Sequence, residues 1–235
     1  MAEYWQRHFV RNFITEDRWH YLLNGLGNTL VITLFALVLG VVLGALIAIV
    51  RVTHDKADHP GVGIRILDRL ARIYLAVVRG TPMMVQLLIA YFVIFVVWDP
   101  GKIPVAIIAF GLNSAAYVAE IFRGGIMSID PGQMEAGRSL GLSYRETMGS
   151  IILPQAIKNV LPALCNEGIA LLKETSIAGY IGLGDLTRGA MQISSQTYDY
   201  FPSLFAIAAI YLCLVLILTK FVNILERRLA QSDRG

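Results

Sequence analysis

Charge is scarce in this sequence. Only 16% of its 235 residues are Asp, Glu, Lys or Arg, while 56% are apolar; an ordinary soluble domain carries about a quarter charged residues. That balance excludes an ordinary soluble globular class and leaves a polytopic membrane protein as the simplest one. Cysteine is nearly missing too. Cys165 and Cys213 are the only two, both within apolar stretches, so they read as small core residues and exclude a disulfide framework or a C-x-x-C site. The phosphate-cradling loop G-x-x-x-x-G-K-[ST] is absent, so the chain is not expected to hydrolyse ATP alone. No H-E-x-x-H or G-x-S-x-G arrangement marks it as a metalloprotease or serine hydrolase. Residues 1–20 lack an apolar h-region, so no cleavable signal peptide is expected. Low-complexity tracts and internal duplication are also lacking, which counts against a carrier built from inverted repeats in one chain.

What the chain does have is apolar runs. Stretches long enough to cross a bilayer, about 17 to 25 residues, fall at Leu26–Val50, Ile73–Trp98, Ile103–Phe122, Ala156–Ile177 and Pro202–Leu225. The expected fold class is an all-α integral membrane protein with five transmembrane helices. Arg79-Gly80-Thr81-Pro82 interrupts the second run: Pro82 breaks the hydrogen-bond ladder, Gly80 permits a bend, and the freed backbone groups can line a pore. Thirteen Lys and Arg fall in 51–72, 123–158 and 220–234, against five at 7, 11, 18, 102 and 188. By the positive-inside rule the first group is cytoplasmic, the C-terminus is inside and the N-terminus outside. Residues 1–22 form an N-terminal interfacial segment, with Tyr4, Trp5, Phe9, Phe13, Trp19 and Tyr21 as an aromatic belt in an amphipathic helix. The membrane domain covers 23–228 and a cytoplasmic tail 229–235. Within the 51–72 connection, turn formers run from Thr53 to Gly61. His54 and His59 lie there in solvated surroundings with no further ligands, a poor metal site.

Polar residues inside spans are expensive in hydrocarbon and therefore informative. Asn113, Tyr117 and Glu120 are spaced i, i+4, i+7 and share a helix face; Ser114 lies beside them, and Ala115, Ala116 and Ala119 allow close helix approach. Glu120 fits two readings, contact with a polar solute or neutralisation by Arg123 three residues on. In the fourth span Asn159, Asn166 and Lys173 recur every seven residues, with Glu167 and Glu174 on the adjacent stripe. Glu167 falls near the bilayer centre and needs a wet cavity or a partner charge. An amino-acid zwitterion needs an acceptor for its ammonium, which Glu167 provides, and donors for its carboxylate, for which Asn166, Lys173, Thr175 and Ser176 are candidates. A polar clamp between helices is the alternative. Arg79 either binds a carboxylate or anchors its helix at the inner interface.

Residues 130–154 form a polar segment between apolar runs. Glu135, Ala136-Gly137, Gly141 and Ile151-Ile152-Leu153-Pro154 follow the spacing E-A-A, three residues, G, nine residues, I-x-L-P, with Gly137 in place of the second Ala. Gly141 suits a sharp bend between two short helices, and Pro154 the first turn of the next span. An ordinary amphipathic loop is the plainer reading. Together with Arg79–Gln86, Asn113–Ile126 and Asn166–Ser176, this segment resembles the permease subunits of polar amino acid ABC importers. The class is the histidine/glutamine/glutamate/arginine one, with arginine- and lysine-type members most similar. Gly168 stands where the family usually has a larger residue.

The resemblance implies a type I importer permease of the MetI-like fold, with 130–154 as a cytoplasmic coupling helix and loop. It further implies a dimer of ABC ATPase subunits that bind ATP and Mg, no cofactor in this chain and no nucleic acid. A second permease subunit, identical or paralogous, and an extracytoplasmic amino-acid-binding protein would complete the assembly in a bacterial inner membrane. Glu135, Ala136, Gly137, Arg138, Gly141 and Arg145 are the expected ATPase contacts. The acidic pair Glu120 and Glu167 favours a cationic or neutral polar amino acid. An ion-coupled secondary carrier using Glu120 and Glu167, a membrane enzyme and a purely structural subunit are the competing classes.

Overall fold

The computed structural model describes residues 2–57 and 59–231, and every regular element among them is helical. Helix α1 (Ala2–Phe9) passes through a π turn and a 3-10 turn to α2 (Trp19–Lys56). Then come α3 (Val62–Gly80), α4 (Met83–Ile89, extended by a π turn to Ile94) and α5 (Lys102–Met127). Two short helices follow, α6 (Pro131–Ser139) and α7 (Tyr144–Thr147). A π turn at Met148–Ile152 leads into α8 (Leu153–Glu174), and α9 (Leu186–Thr197) and α10 (Tyr200–Gln231) complete the chain. Four stretches are long and apolar enough to span a bilayer, and α3 with the Met83–Ile94 segment makes a fifth, broken by a 107° bend. The break falls at Thr81-Pro82, where a missing N–H and the restricted residue before proline stop the helix.

One expectation needs correction, and one helix is new. The 51–72 connection is not a long loop, because α3 begins at Val62. Apolar residues at 62, 66, 67, 70, 73, 74 and 77 keep helical spacing from there, so the connection is confined between Lys56 and Val62. Pro154 lies in the first turn of α8, as expected, just after the π turn, where its missing donor costs little. Helix α9 was not anticipated at all. Its length of 12 residues is too short and polar for a span. Asp185 caps it by accepting from the N–H groups of Thr187 and Arg188, both at 3.1 Å, and Leu186, Ala190 and Ile193 form its buried stripe.

The chain divides into two compact units. The first comprises residues up to 37, 83–111 and 168–220. Its core gathers Ile32, Ala36, Leu87, Phe110, Leu171 and Ile181. The amino-terminal segment is docked in this unit by polar contacts and by the buried Phe13 ring, while Phe9, Trp19 and Tyr21 are exposed. Asn12 is fully buried, its amide donates to Asp199 at 3.0 Å, and Arg11 reaches the Thr197 carbonyl at 2.6 Å. The side chains of Tyr4 and Trp5, and residues 232–235 of the tail, lie outside the described residues.

The second unit comprises 38–82, 112–167 and the carboxy-terminal residues from 221. Here α2 and α5 pack at very short range. A Cβ on Gly44 would meet Val118 Cγ1 at 2.6 Å and the Ala115 carbonyl oxygen at 2.9 Å, and one on Gly40 would meet Ser114 at 2.9 Å. Gly40 and Gly44 thus form a small-xxx-small groove that seats Ser114 and Val118. Association in lipid rests on such close packing, since the surroundings are as apolar as the side chains. Gly44→Val is expected to destabilise the unit by about 1–3 kcal/mol through overpacking, read as a lowered thermal unfolding midpoint in detergent. An unchanged midpoint would show that the groove is not needed.

Candidate functional site

The segment resembling a coupling loop is built by end-capping. Asp130 caps α6, its carboxylate accepting from the Gly132 N–H at 2.8 Å with Pro131 in the first turn. At the other end Gly141 takes φ +87°. The Leu142 N–H bonds the Gly137 carbonyl and the Gly141 N–H that of Arg138, both at 3.1 Å, which is a Schellman stop. Ser143 and Glu146 then form a capping box on α7, with contacts of 2.7 and 3.3 Å. Hydrogen bonds from Ser143 hold the Glu146 carboxyl below its ordinary range. The box therefore contributes while Glu146 is ionised and is lost as the pH falls through that lowered value.

Gly137 sits inside the elbow between the two helices. A Cβ there would lie 2.5 Å from Thr147 Cγ2 and 2.9 Å from its Oγ1, while Thr147 is fully buried and donates to the Ser143 carbonyl at 3.0 Å. The departure from Ala at this position therefore has a partner, Thr147. Gly168 is explained in the same way: a Cβ would stand 3.0 Å from Leu37. Glu135, Ala136, Arg138 and Arg145 are exposed. Glu135 lies with Lys56, Asp130 and Tyr144 around a cavity of about 300 Å³.

Within the second unit, α8 brings Glu167 to α5. The Ser114 hydroxyl, fully buried, donates to Glu167 Oε1 at 2.8 Å. Asn113, one residue away, is buried, and Tyr117, one turn on, is exposed with the Arg79 guanidinium 5.6 Å above its ring. A carboxylate and a guanidinium thus stand beside one stretch of α5, at Ser114 and Tyr117. Pro162 lies inside α8, five residues before Glu167, and removes one N–H donor from that helix.

Glu120 takes the other course. Its carboxylate pairs with Arg123 at 3.1 Å and faces Arg51 at 3.9 Å, so the ion-paired reading describes this state. Asn159 donates to Ser128 at 3.2 Å, whereas Asn166 and Lys173 on the same stripe are exposed. Thr175 is buried, its hydroxyl donating to the Leu172 carbonyl at 2.7 Å, and Ser176 is half-buried; these two and Lys173 belong to the first unit. Sequence reasoning placed Ser114 beside the stripe without giving it a role. Its small hydroxyl among Asn113 and three alanines was the available signal.

Comparison with known proteins agrees with this geometry. Residues 63–231 match the family described as binding-protein-dependent transport system inner membrane component. The chain is 40% identical over 215 residues to the arginine transport system permease protein ArtQ of Bacillus subtilis, covering 91% of this chain and 94% of that one. It is 37% identical over 216 residues to a putative glutamine transport system permease protein GlnP of Rickettsia felis, covering 89% and 93%. The crystal structure of an amino acid ABC transporter with histidines superposes with a TM-score of 0.81 at 41% identity, over 92% of this chain and 98% of that one. A secondary carrier, the alternative that Glu120 and Glu167 left open, falls with these matches. The spans, the elbow between α6 and α7 and the sequence likeness along almost the whole chain agree: the protein belongs to the binding-protein-dependent inner membrane component family and is a permease subunit of a type I ABC importer.

Proposed function

We propose that this permease passes polar amino acids, with basic ones preferred, and that Glu167 is the acceptor for their cationic group. One observation carries the reading: the Glu167 carboxylate is hydrogen-bonded to Ser114 inside a span, with the Arg79 guanidinium beside the same stretch of α5. A zwitterion needs opposite charges on the protein a few ångströms apart, and a carboxylate in hydrocarbon is retained only where it serves a polar path or a partner. The names of the relatives, arginine and glutamine permeases, support the substrate class. Asn113 and Tyr117 flank the site, and Asn166 extends the polar stripe along α8; Lys173, Thr175 and Ser176 are candidate donors within the first unit.

In this reading the chain works with a second permease subunit, an extracytoplasmic amino-acid-binding protein and two ATPase subunits that bind ATP and Mg. The N-terminus lies outside and the C-terminus in the cytoplasm of a bacterial inner membrane. ATP binding closes the ATPase pair and draws the α6–α7 elbows together; α5 and α8, which flank that elbow, tilt and expose the Glu167 region outward. Hydrolysis returns it inward. Two conformations of different substrate affinity are the requirement for such a cycle. Glu135, Ala136, Gly137, Arg138, Gly141 and Arg145 form the docking elbow. The test is the ATPase rate of the reconstituted complex across the twenty amino acids, where basic ones should stimulate most. Glu135→Ala is expected to lower that stimulation about fivefold or more, as for a lost charge-assisted contact, with membrane insertion unchanged. Full stimulation in this variant would remove Glu135 from the elbow's contacts.

A further inference from the structure

At the Met127 end of α5, six side chains close a ring of alternating charge. Arg51 meets Asp68 at 3.1 Å, Asp68 meets Arg72 at 2.7 Å, and Arg72 meets Asp55 at 3.6 Å. Asp55 meets Arg123 at 3.6 Å, Arg123 meets Glu120 at 3.1 Å, and Glu120 returns to Arg51 at 3.9 Å. His54 Nδ1 lies against the ring, 3.4 Å from Asp55 and 3.7 Å from Asp68. Three arginines balance three carboxylates. His54, Asp55 and Asp68 present ligand atoms within 4.8 Å of one another, but guanidinium groups already occupy those carboxylates, so the set has no excess negative charge to hold a cation.

The links are of two kinds. Asp68–Arg72 within α3 and Glu120–Arg123 within α5 are hydrogen-bonded. All four links between helices are charge contacts only: three exceed hydrogen-bond distance, and Arg51 Nε and Asp68 Oδ1 are buried without hydrogen-bond alignment. Within the ring α5 is joined to α2 by contacts of 3.9 and 3.6 Å, whereas α3 is joined to α2 by contacts of 3.6 and 3.1 Å. Buried ion pairs add little net stability because desolvation offsets attraction, and their best-attested use is to select one arrangement over another. A ring whose bonded links stay within helices can part between them and close again unchanged. It parts most easily along α5, the helix that leads directly into α6.

We propose that this ring is the cytoplasmic closure of the substrate path and that it opens on the α5 side when α6 moves. Glu120 shares a face with Asn113 and Tyr117, so the ring lies along α5 from the Glu167 site toward the cytoplasm. The inference rests on the reading of Glu167 as the substrate site. In an open ring each charged group faces water, and in a closed one each faces its opposite.

The test uses the whole complex in proteoliposomes loaded with radiolabelled arginine, or glutamine where the wild type takes that up instead, and follows efflux without ATP. The double variant E120R/R123E keeps the bond within α5 and the net charge but sets Arg against Arg51 and Glu against Asp55. Such like-charge contacts oppose closure, and efflux is expected to rise about tenfold, with Arg123→Gln giving a smaller rise in the same direction. The thermal midpoint should fall less than in Asp68→Asn, which removes the carboxylate tying α2 to α3. Wild-type efflux in both α5 variants overturns the proposal. So does a fall in midpoint equal to that of Asp68→Asn with no rise in efflux, because the ring is then only structural. Should the double variant fail to assemble, Arg123→Gln alone decides. Absence of ATP-driven uptake in the wild type for all twenty amino acids would instead refute the substrate reading.

Discussion

Uptake of a basic amino acid is expected to fall about tenfold to a hundredfold in Glu167→Gln, since a hydrogen bond to a charged group contributes about 1.5–3 kcal/mol. Gln is nearly isosteric and still accepts from the Ser114 hydroxyl now 2.8 Å from the carboxylate, so α5 and α8 should keep their packing. The loss should appear in kcat/KM for arginine and lysine and be smaller for glutamine, whose side chain brings no positive charge. Basal ATP turnover should stay, because the substitution lies far along α8 from the α6–α7 elbow. Equal loss for charged and neutral substrates would reassign Glu167 to a polar clamp. Undiminished arginine uptake would remove it from the path.

Restoring the family's usual Ala at position 137 is expected to harm this protein. Gly137→Ala places a methyl 2.5 Å from Thr147 Cγ2, and overpacking of that kind costs about 1–3 kcal/mol. The cost falls on the angle between α6 and α7, so substrate-stimulated ATPase should drop about tenfold while uptake sites and membrane insertion are spared. Thr147→Ala removes both close atoms, and the double variant should recover most of the activity. The two residues then show a strong coupling in a double-mutant cycle. Additive effects, or a fully active Gly137→Ala, would mean that the elbow adjusts freely.

Much of this architecture was legible in the sequence. Long apolar runs predicted the spans because a bilayer leaves few other places for them, and Pro82 predicted the break because a proline removes a donor wherever it sits. Gly141 and the Glu135-to-Pro154 spacing located the elbow, since end-capping is a local affair. The hidden parts depend on distance in the chain. Helix α9 lacked a long apolar run, although Asp185 and its three-residue stripe announced it to anyone looking for a cap. The ring draws Arg51, Asp68 and Glu120 from three helices, and charges tens of residues apart carry no mark that they meet. Gly40 and Gly44 were readable as a small-residue pair, but not that Ser114 is what they hold.

Helix α2 is 38 residues long, about 57 Å at 1.5 Å per residue, nearly twice the roughly 30 Å of bilayer hydrocarbon. Exposed apolar residues run along it from Leu23 to Ile49, and a rod longer than the hydrocarbon must project at its ends or lean. A thicker membrane is then met by a steeper rod and a thinner one by a flatter rod. Because Gly40 and Gly44 clasp α5 partway along that rod, the lipid's own thickness bears on the helix that presents Ser114 to Glu167.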